Sequence, residues 1–393
     1  MDWRPGACSI AGVGATEFSK SSGRSVLALA TEASVAAITD AGMAVADIDG
    51  IVRCEEDSVL HNDLSHCLGL PELNYWGSTA SGGSAPCGMV AQAVAAVTAG
   101  LARSVLVFRA LNGRSGPRYG RAKGARRPVG GNGSLEEFIS PYGLVTPGQV
   151  WAMVAQRHMI EFDTTREHLG AIALACRERA NANPAAEMFD RSMIMDDYLQ
   201  ARPISRPLGL FDFCQETDGA CAVVVTSTER ANDGPSPAAA IQSVAQASAD
   251  DIQGAMFSPA VFRRDLTTQP SANVADTLYR RAGLGPADID VAQFYDCFTI
   301  TVLVQLEDYG FAPKGEGGPF AACGALGMDG SLPINTAGGN LSEGYIHGLN
   351  HIVEGVKQIR GTSTSQVEGA EVSLVTSGLP PATSAMILTG ATR

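Results

Sequence analysis

The chain is poor in positive charge: 28 lysines and arginines stand against 41 aspartates and glutamates, leaving a formal charge of −13. A surface built for nucleic acid or an anionic membrane needs the opposite sign, so neither is expected as a partner. A phosphorylated ligand would need a local basic patch. Long apolar runs are missing too. Nothing approaches the roughly 18 residues that span a bilayer, and no apolar signal segment follows Met1-Asp2-Trp3-Arg4-Pro5, so a cytoplasmic location is the expectation. Paired cysteines are also absent. The nine, at positions 8, 54, 67, 87, 176, 214, 221, 297 and 323, are odd in number and scattered, with no Cys-x-x-Cys and no close Cys/His cluster. That pattern indicates neither disulfides nor structural zinc, and no metal is expected.

What the chain has is apolar mass: 45% of 393 residues, enough for a large core and two or three domain-sized units. An internal repeat organises it. Ala41-Gly42 is followed after three residues by Ala46-Asp47-Ile48-Asp49, and the same letters return at the same spacing as Ala282-Gly283 and Ala287-Asp288-Ile289-Asp290. A helical pattern precedes each copy (Val26 to Thr39, Ala275 to Arg281) and a strand-like run follows it (Gly50 to Val52, Val291 to Phe294). A second echo pairs Thr79-Ala80-Ser81-Gly82-Gly83 with Thr336-Ala337-Gly338-Gly339. Each leads to a helical stretch (Met89 to Ala99, Ile352 to Ile359) and then a strand (Ser104 to Phe108, Val372 to Val375). Strands alternating with amphipathic helices predict a layered, duplicated α/β architecture that divides near residue 236. Residues 113–205, opening Gly/Arg-rich and continuing through helical patterns at Val150 to Glu161 and Glu167 to Arg179, read as an inserted loop domain. The expected division is 1–112 with 206–235, then 113–205, then 236–393.

Ser78 to Ser84 is a small-residue turn opening a helix, where backbone N–H groups and the positive dipole end suit an anionic or polarised ligand. Four segments, this turn among them, fall into one pattern. Ala80-Ser81-Gly82-Gly83-Ser84 resembles the Cys-x-x-Gly-Ser turn of thiolases, with alanine in the nucleophile's slot. Tyr295-Asp296-Cys297-Phe298 resembles the His-Asp-x-Phe of the family's lipid-transfer-protein branch, with tyrosine for histidine. Asn335, Gly338, Gly339, Ser342 and Gly344 follow the third motif in register, and Tyr345 again stands where histidine is usual. Thr376-Ser377-Gly378 aligns with the C-terminal Cys-x-Gly. The segments Arg202 to Leu208 and Asp218 to Ala222 resemble the family's lead into the last strand of its first half, so the resemblance covers essentially the whole chain.

The resemblance implies the thiolase fold: two βαβαβαββ halves in a five-layered αβαβα arrangement with an inserted loop domain. With Ala80 there is no acyl-enzyme at the usual position. An enolate of an acyl-CoA thioester can still be stabilised by positioned donors, so chemistry that needs only an enolate leaving group survives. Retro-aldol cleavage of a β-hydroxyacyl-CoA is such a reaction, and a phenolate, with an unperturbed pKa near 10, is a stronger base for a hydroxyl proton than imidazole. The double tyrosine replacement resembles the thiolase-like aldolases of steroid side-chain degradation, which release a short acyl-CoA, propionyl-CoA by resemblance, and leave a 17-ketosteroid.

Expected roles follow from this resemblance. Tyr295 is the candidate base and Tyr345 the candidate donor, with the two exchangeable, while Asp296 and His347 orient waters or tune the phenols. Ala80, Ser84, Gly339 and Gly378 would line the substrate site. Arg118, Arg121 and Arg126, within the basic island Arg114 to Arg127, would meet the phosphates of coenzyme A, which arrives as part of the substrate; no cofactor is permanently bound. A homodimer is implied, working with an OB-fold protein of the domain-of-unknown-function-35 family, itself often joined to an enoyl-CoA hydratase. Two rival readings stand beside this one: a thiolase or acetyltransferase using Cys87 or Cys297, and a lipid carrier or scaffold without catalysis.

Overall fold

The structure, a computed structural model, describes residues 3–79, 82–116, 140–248, 263–379 and 382–391. In chain order its main elements begin with β1 (Cys8–Ala15), α1 (Val26–Asp40), β2 (Gly50–Cys54), β3 (Tyr75–Thr79), α2 (Pro86–Thr98) and β4 (Ser104–Asn112). They continue with α3 (Pro147–Phe162), α4 (Arg166–Ala182), the short hairpin β5 (Pro203–Ser205) and β6 (Leu208–Gly209), β7 (Asp218–Ser227) and β8 (Ala239–Ser248). The chain closes with α5 (Ser271–Ala282), β9 (Val291–Gln293), α6 (Thr299–Asp308), α7 (Leu349–Arg360), β10 (Val372–Thr376) and β11 (Ala382–Gly390).

Nine strands join in the order β3-β2-β4-β7-β1-β8-β11-β10-β9. This is one strand pattern used twice and joined at its middle. The first half runs β3-β2-β4-β7-β1, with β2 parallel to β3 and β4. The second runs β9-β10-β11-β8, with β9 parallel to β10, and a parallel bridge from Ile334 to Ala292 takes the place that β3 holds in the first half. The halves meet where Ser9 and Ile10 of β1 lie opposite Ala240 and Ala239 of β8.

The repeated letters explain the repeated shape. In each copy the Ala-Gly ends a helix, the Ala-Asp step forms a short 3-10 turn, and the acid that follows Ile locks the next crossover. Asp49 Oδ1 accepts from the Arg103 and Ser104 amides at 2.8 and 3.0 Å, at the start of β4. Asp290 Oδ2 does the same for Glu371 and Val372 at 2.9 and 2.8 Å, at the start of β10.

Helices cover the sheet in layers. α1 packs on β1, β4 and β7, and α5 packs on β8 and β11. Between the halves lie α2, touching β4, β7, β8 and β11, and α7, touching β1, β7, β10 and β11, so five layers result. Strands covered on both faces lose the alternation of a half-exposed sheet. Val105 to Phe108 and Ala220 to Val225 are accordingly continuous buried apolar runs. α1 shows the complementary pattern, with Leu29, Ala30, Ala33, Ala37 and Ile38 buried at helical spacing. α3 and α4 of the inserted segment pack against α6, and their Trp151, Val154, Leu169 and Ile172 merge with Leu303 and Val304 in one core. Each such side chain contributes about 1.5–3 kcal/mol by leaving water, which is what seats the insertion on the second half. Among the described residues no helix is long and apolar enough to cross a membrane.

Candidate active site

The C-terminal ends of the parallel strands open onto one cavity of about 860 Å³. In open α/β sheets ligands gather at that end. Tyr295 lies two residues past the end of β9, 3% exposed, with its amide donating to Thr376 Oγ1 at 2.9 Å and its carbonyl accepting from Gln305 Nε2 at 2.9 Å. Its ring fits a slot that only glycines leave open. A Cβ added to Gly83 would stand 2.0 Å from the Tyr295 hydroxyl, and one on Gly378 or Gly348 would stand 2.9 Å from its ring. The Gly378 amide donates to the Gly83 carbonyl at 2.6 Å, so the turn from the first half and the motif from the second close around this phenol together.

Tyr345 brings the second phenol: the two hydroxyls stand 2.9 Å apart, and both residues line the cavity. The Tyr345 amide donates to Thr217 Oγ1 at 2.8 Å. Two residues on, His347 lines the same cavity in the left-handed backbone region at φ 52, uncommon for a residue with a side chain. Its ring meets the Tyr345 ring edge-on at 4.9 Å.

His347 is governed by a residue that the sequence did not single out. Arg109, on β4 and fully buried, donates from Nε at 3.2 Å and from Nη2 at 2.5 Å to His347 Nδ1. A nitrogen that accepts from a guanidinium carries no proton, so the neutral ring holds its proton on Nε2. Burial and the Arg109 charge both push the His347 pKa well below the ordinary histidine value, so the ring stays neutral. Arg109 is fixed in turn by Asp57, whose Oδ1 lies 2.6 Å from Nη1, while Glu56 stands 3.8 Å from Nη2. Burial raises the Asp57 carboxyl, against the pull of Arg109.

Two residues read from the motifs lie behind the cavity rather than in it. Asp296 is fully buried and accepts from the Asn340 and Leu341 amides at 2.8 and 3.1 Å and from His351 Nε2 at 3.0 Å. It locks the Gly339 turn in place. Gly339, at φ +62, is where that carboxylate comes closest: a Cβ there would meet Asp296 Oδ2 at 2.2 Å. The glycine thus makes room for Asp296 rather than for a ligand. Ser84 and Gly378 do line the cavity. Ala80 and the arginines 118, 121 and 126 lie outside the described residues.

The cysteines do not offer a nucleophile. Cys87 is sealed under the turn, its amide donating to Ser377 Oγ at 3.0 Å, and burial pushes its thiol up to about 12. Cys297 lines the cavity, yet burial raises its thiol strongly as well. A buried thiol with a raised pKa supplies little thiolate.

Away from the phenols the cavity wall is apolar and aromatic. Phe213 and Phe298 meet edge-on at 5.0 Å, Trp151 lies 6.5 Å from Phe298, and Leu210, Phe211, Leu341 and Leu379 complete the surface. Its charged rim carries five cations, Lys20, Arg114, Arg177, Arg191 and Arg202, against two carboxylates, Glu56 and Glu216. Arg177 stacks over Phe211 at 5.5 Å and so joins wall to rim. A cavity with a polar floor, an apolar wall and a cationic rim suits a molecule with a polar reacting centre, a large apolar body and an anionic tail.

The family model for thiolase C-terminal domain-like sequences matches residues 255–389. Over 390 residues, 99% of each chain, the protein is 45% identical to a steroid side-chain-cleaving aldolase of Thermomonospora curvata. It is 42% identical over 385 residues to the 17-hydroxy-3-oxo-4-pregnene-20-carboxyl-CoA lyase of Mycobacterium tuberculosis, covering 98% of this chain and 99% of that one. Among solved structures, an Ltp2-ChsH2(DUF35) aldolase superposes with a TM-score of 0.93 at 43% identity, with 99% of both chains covered.

Proposed function

The chain belongs to the thiolase superfamily, in the branch of the steroid side-chain-cleaving aldolases, and from that premise we propose the reaction its site performs. It is a carbon–carbon lyase that cleaves a β-hydroxyacyl-CoA by retro-aldol chemistry. The substrate carries a steroid ring system at the hydroxyl-bearing carbon; the products are a 17-ketosteroid and a short acyl-CoA such as propionyl-CoA. The observation that carries this reading is the pair of phenol hydroxyls 2.9 Å apart in a cavity from which Cys87 is sealed off.

In this mechanism Tyr295, as phenolate, takes the substrate's hydroxyl proton. The Cα–Cβ bond breaks as the carbonyl forms at Cβ, and the electron pair collects on the thioester oxygen as an enolate. An isolated phenol is almost wholly protonated at pH 7. The neighbouring Tyr345 hydroxyl, 2.9 Å away, stabilises the phenolate by donating to it. His347 gives the enolate oxygen its Nε2 proton as a hydrogen bond, as a neutral donor that Arg109 prevents from becoming a base. The same hydroxyl pair returns a proton to the enolate carbon, so the proton count closes without a covalent intermediate. The steroid lies on the aromatic wall, and the coenzyme A phosphates reach the cationic rim.

The neighbour structure pairs its aldolase with a DUF35 protein, and the same kind of OB-fold partner is proposed here, with the aldolase chain itself a homodimer and a hydratase joined to the partner. The division of the chain into 1–112 with 206–235, 113–205 and 236–393 is part of the same proposal. The test incubates the protein with that partner and a branched β-hydroxyacyl-CoA bearing a steroid ring, following ketone and short acyl-CoA by mass spectrometry. Tyr295→Phe should lower kcat about 10³-fold, within the range for general acid–base groups, while Cys87→Ala should keep turnover. A need for Cys87, with acyl transfer to free coenzyme A, would restore the thiolase reading.

A further inference from the structure

One carboxylate ties together two segments that each contribute a cation to the cavity lining. Asp218, the first residue of β7, is fully buried and receives five hydrogen bonds. Its Oδ1 accepts from the Arg114 and Ser115 amides at 3.1 and 2.9 Å. Its Oδ2 accepts from the Ser22 amide at 3.0 Å, the Ser22 hydroxyl at 3.2 Å and the Ser115 hydroxyl at 2.5 Å. The Asp218 backbone pairs with Ser19 in both directions, at 2.7 and 3.1 Å. Burial alone would raise this carboxyl, but the donors from Ser115, Ser22 and Arg114 win and hold it below the usual range.

The two segments that end on this carboxylate are far apart in sequence, and each carries one rim cation, Lys20 beside Ser19 and Ser22, and Arg114 itself. Every donor named here is a neutral amide or hydroxyl, so neither cation's charge is spent on Asp218; Lys20 pairs instead with Glu187 at 2.8 Å, its side chain still 43% exposed, and would exchange that partner for a phosphate. The residue before it, Thr217, holds the Tyr345 backbone. Neighbouring residues of one strand end thus do separate jobs, Thr217 for the phenol's backbone and Asp218 for the two rim segments.

We propose that Lys20 and Arg114 form a subsite for the phosphates of the coenzyme A moiety, and that Asp218 is the positioning residue that sets them at their working separation. The proposal rests on the acyl-CoA reading above and adds to it the residues that hold the anionic tail. It makes Asp218 a determinant of preference for the phosphorylated carrier rather than of bond cleavage.

The experiment compares the steroid β-hydroxyacyl thioester of coenzyme A with the same acyl group on pantetheine, which lacks the phosphates, using the full chain with its OB-fold partner. In Asp218→Asn, and in Lys20→Ala and Arg114→Ala, KM for the coenzyme A ester should rise about tenfold with kcat within about twofold. The preference for coenzyme A over pantetheine should shrink by the same factor, and the salt dependence of KM should flatten. Ser115→Ala, which keeps the carboxylate, is the second variant where Asp218→Asn fails to fold, and should give a smaller change of the same kind. Equal losses on both thioesters, or an unchanged preference in Lys20→Ala and Arg114→Ala, would overturn the subsite. If the wild type cleaves neither ester, the acyl-CoA reading fails instead. Calorimetric titration of free coenzyme A into wild type and Lys20→Ala then decides the subsite by itself: weaker binding in the variant supports it, and equal binding or none in the wild type overturns it.

Discussion

At the N-terminal ends of β2 and β9 the two halves of the fold use one device: Asp49 and Asp290 each accept two amides at the start of the neighbouring strand. At the opposite ends they share the glycine pairs of two turns, Gly82-Gly83 and Gly338-Gly339, and little else. β4 carries Arg109 within its buried run, while β10 ends with Thr376 and leads to Ser377 and Gly378; β2 leads to Glu56 and Asp57, while β9 leads to Tyr295 and Asp296. The duplication keeps the side chains that fix strand spacing and lets the ligand-facing ends diverge. One half then supplies the ion pair that sets a histidine's tautomer, and the other supplies the phenols.

The strongest way to break that comparison is at the divergent end. Arg109→Met removes the partner of a buried Asp57, and leaving one member of a buried ion pair alone costs about 3–5 kcal/mol, against a guanidinium and carboxylate that are both about 1% exposed or less. Chemical denaturation should show that loss, and Arg109→Met with Asp57→Leu should recover part of it; additive losses would mean that the pair is not the unit described. At the shared end the locks differ in burial, Asp49 being 3% exposed and Asp290 lying on the surface. Hydrogen bonds to a charged group contribute about 1.5–3 kcal/mol. Asp49→Asn should therefore destabilise by about 1–3 kcal/mol and Asp290→Asn by less than half as much, as read by thermal melts; equal costs would contradict the burial argument.

A separate effect is in pH. The folded His347 pKa lies below the unfolded value of about 6.5, so the unfolded chain takes up the proton first as pH falls. Its contribution to stability is complete above that value and is lost below it, by up to about 1.4 kcal/mol per pH unit. His347→Gln should flatten that slope in denaturant titrations between about pH 6.5 and 5, and the kcat profile of the wild type should show no histidine limb there. An activity limb near pH 6.5 that vanishes in His347→Gln would show that the ring titrates.

The motifs made both tyrosines legible, because their register places them even where the letters changed. Arg109 was not legible: a lone arginine in Val105-Leu106-Val107-Phe108-Arg109 reads as a strand residue, and its partners Asp57 and His347 are distant in sequence. The repeat Ala-Asp-Ile-Asp announced the duplicated sheet, since each letter does a local job. Asp296 and Gly339 were legible as motif members but not as supports, because a motif records that residues act together and not which of them faces the ligand. Of the rim, only Arg114 was legible, as the first member of the basic island. Lys20, Arg177, Arg191 and Arg202 come from separate segments, and only the fold gathers them.

β1 sits in the middle of the sheet, yet it precedes every other described strand in the chain. Its partners are β7, with Cys8 opposite Ser227, and β8, with Ser9 opposite Ala240, both more than half a chain later. At roughly 5–20 residues per second on the ribosome, that strand waits some tens of seconds with both edges unpaired. Such non-local pairing is slow to form, and an apolar strand exposed meanwhile invites association with other chains. The feature that welds the two halves in the finished protein therefore makes the nascent chain dependent on protection during synthesis, and yield from rapid overexpression should rise with slower translation or added chaperone.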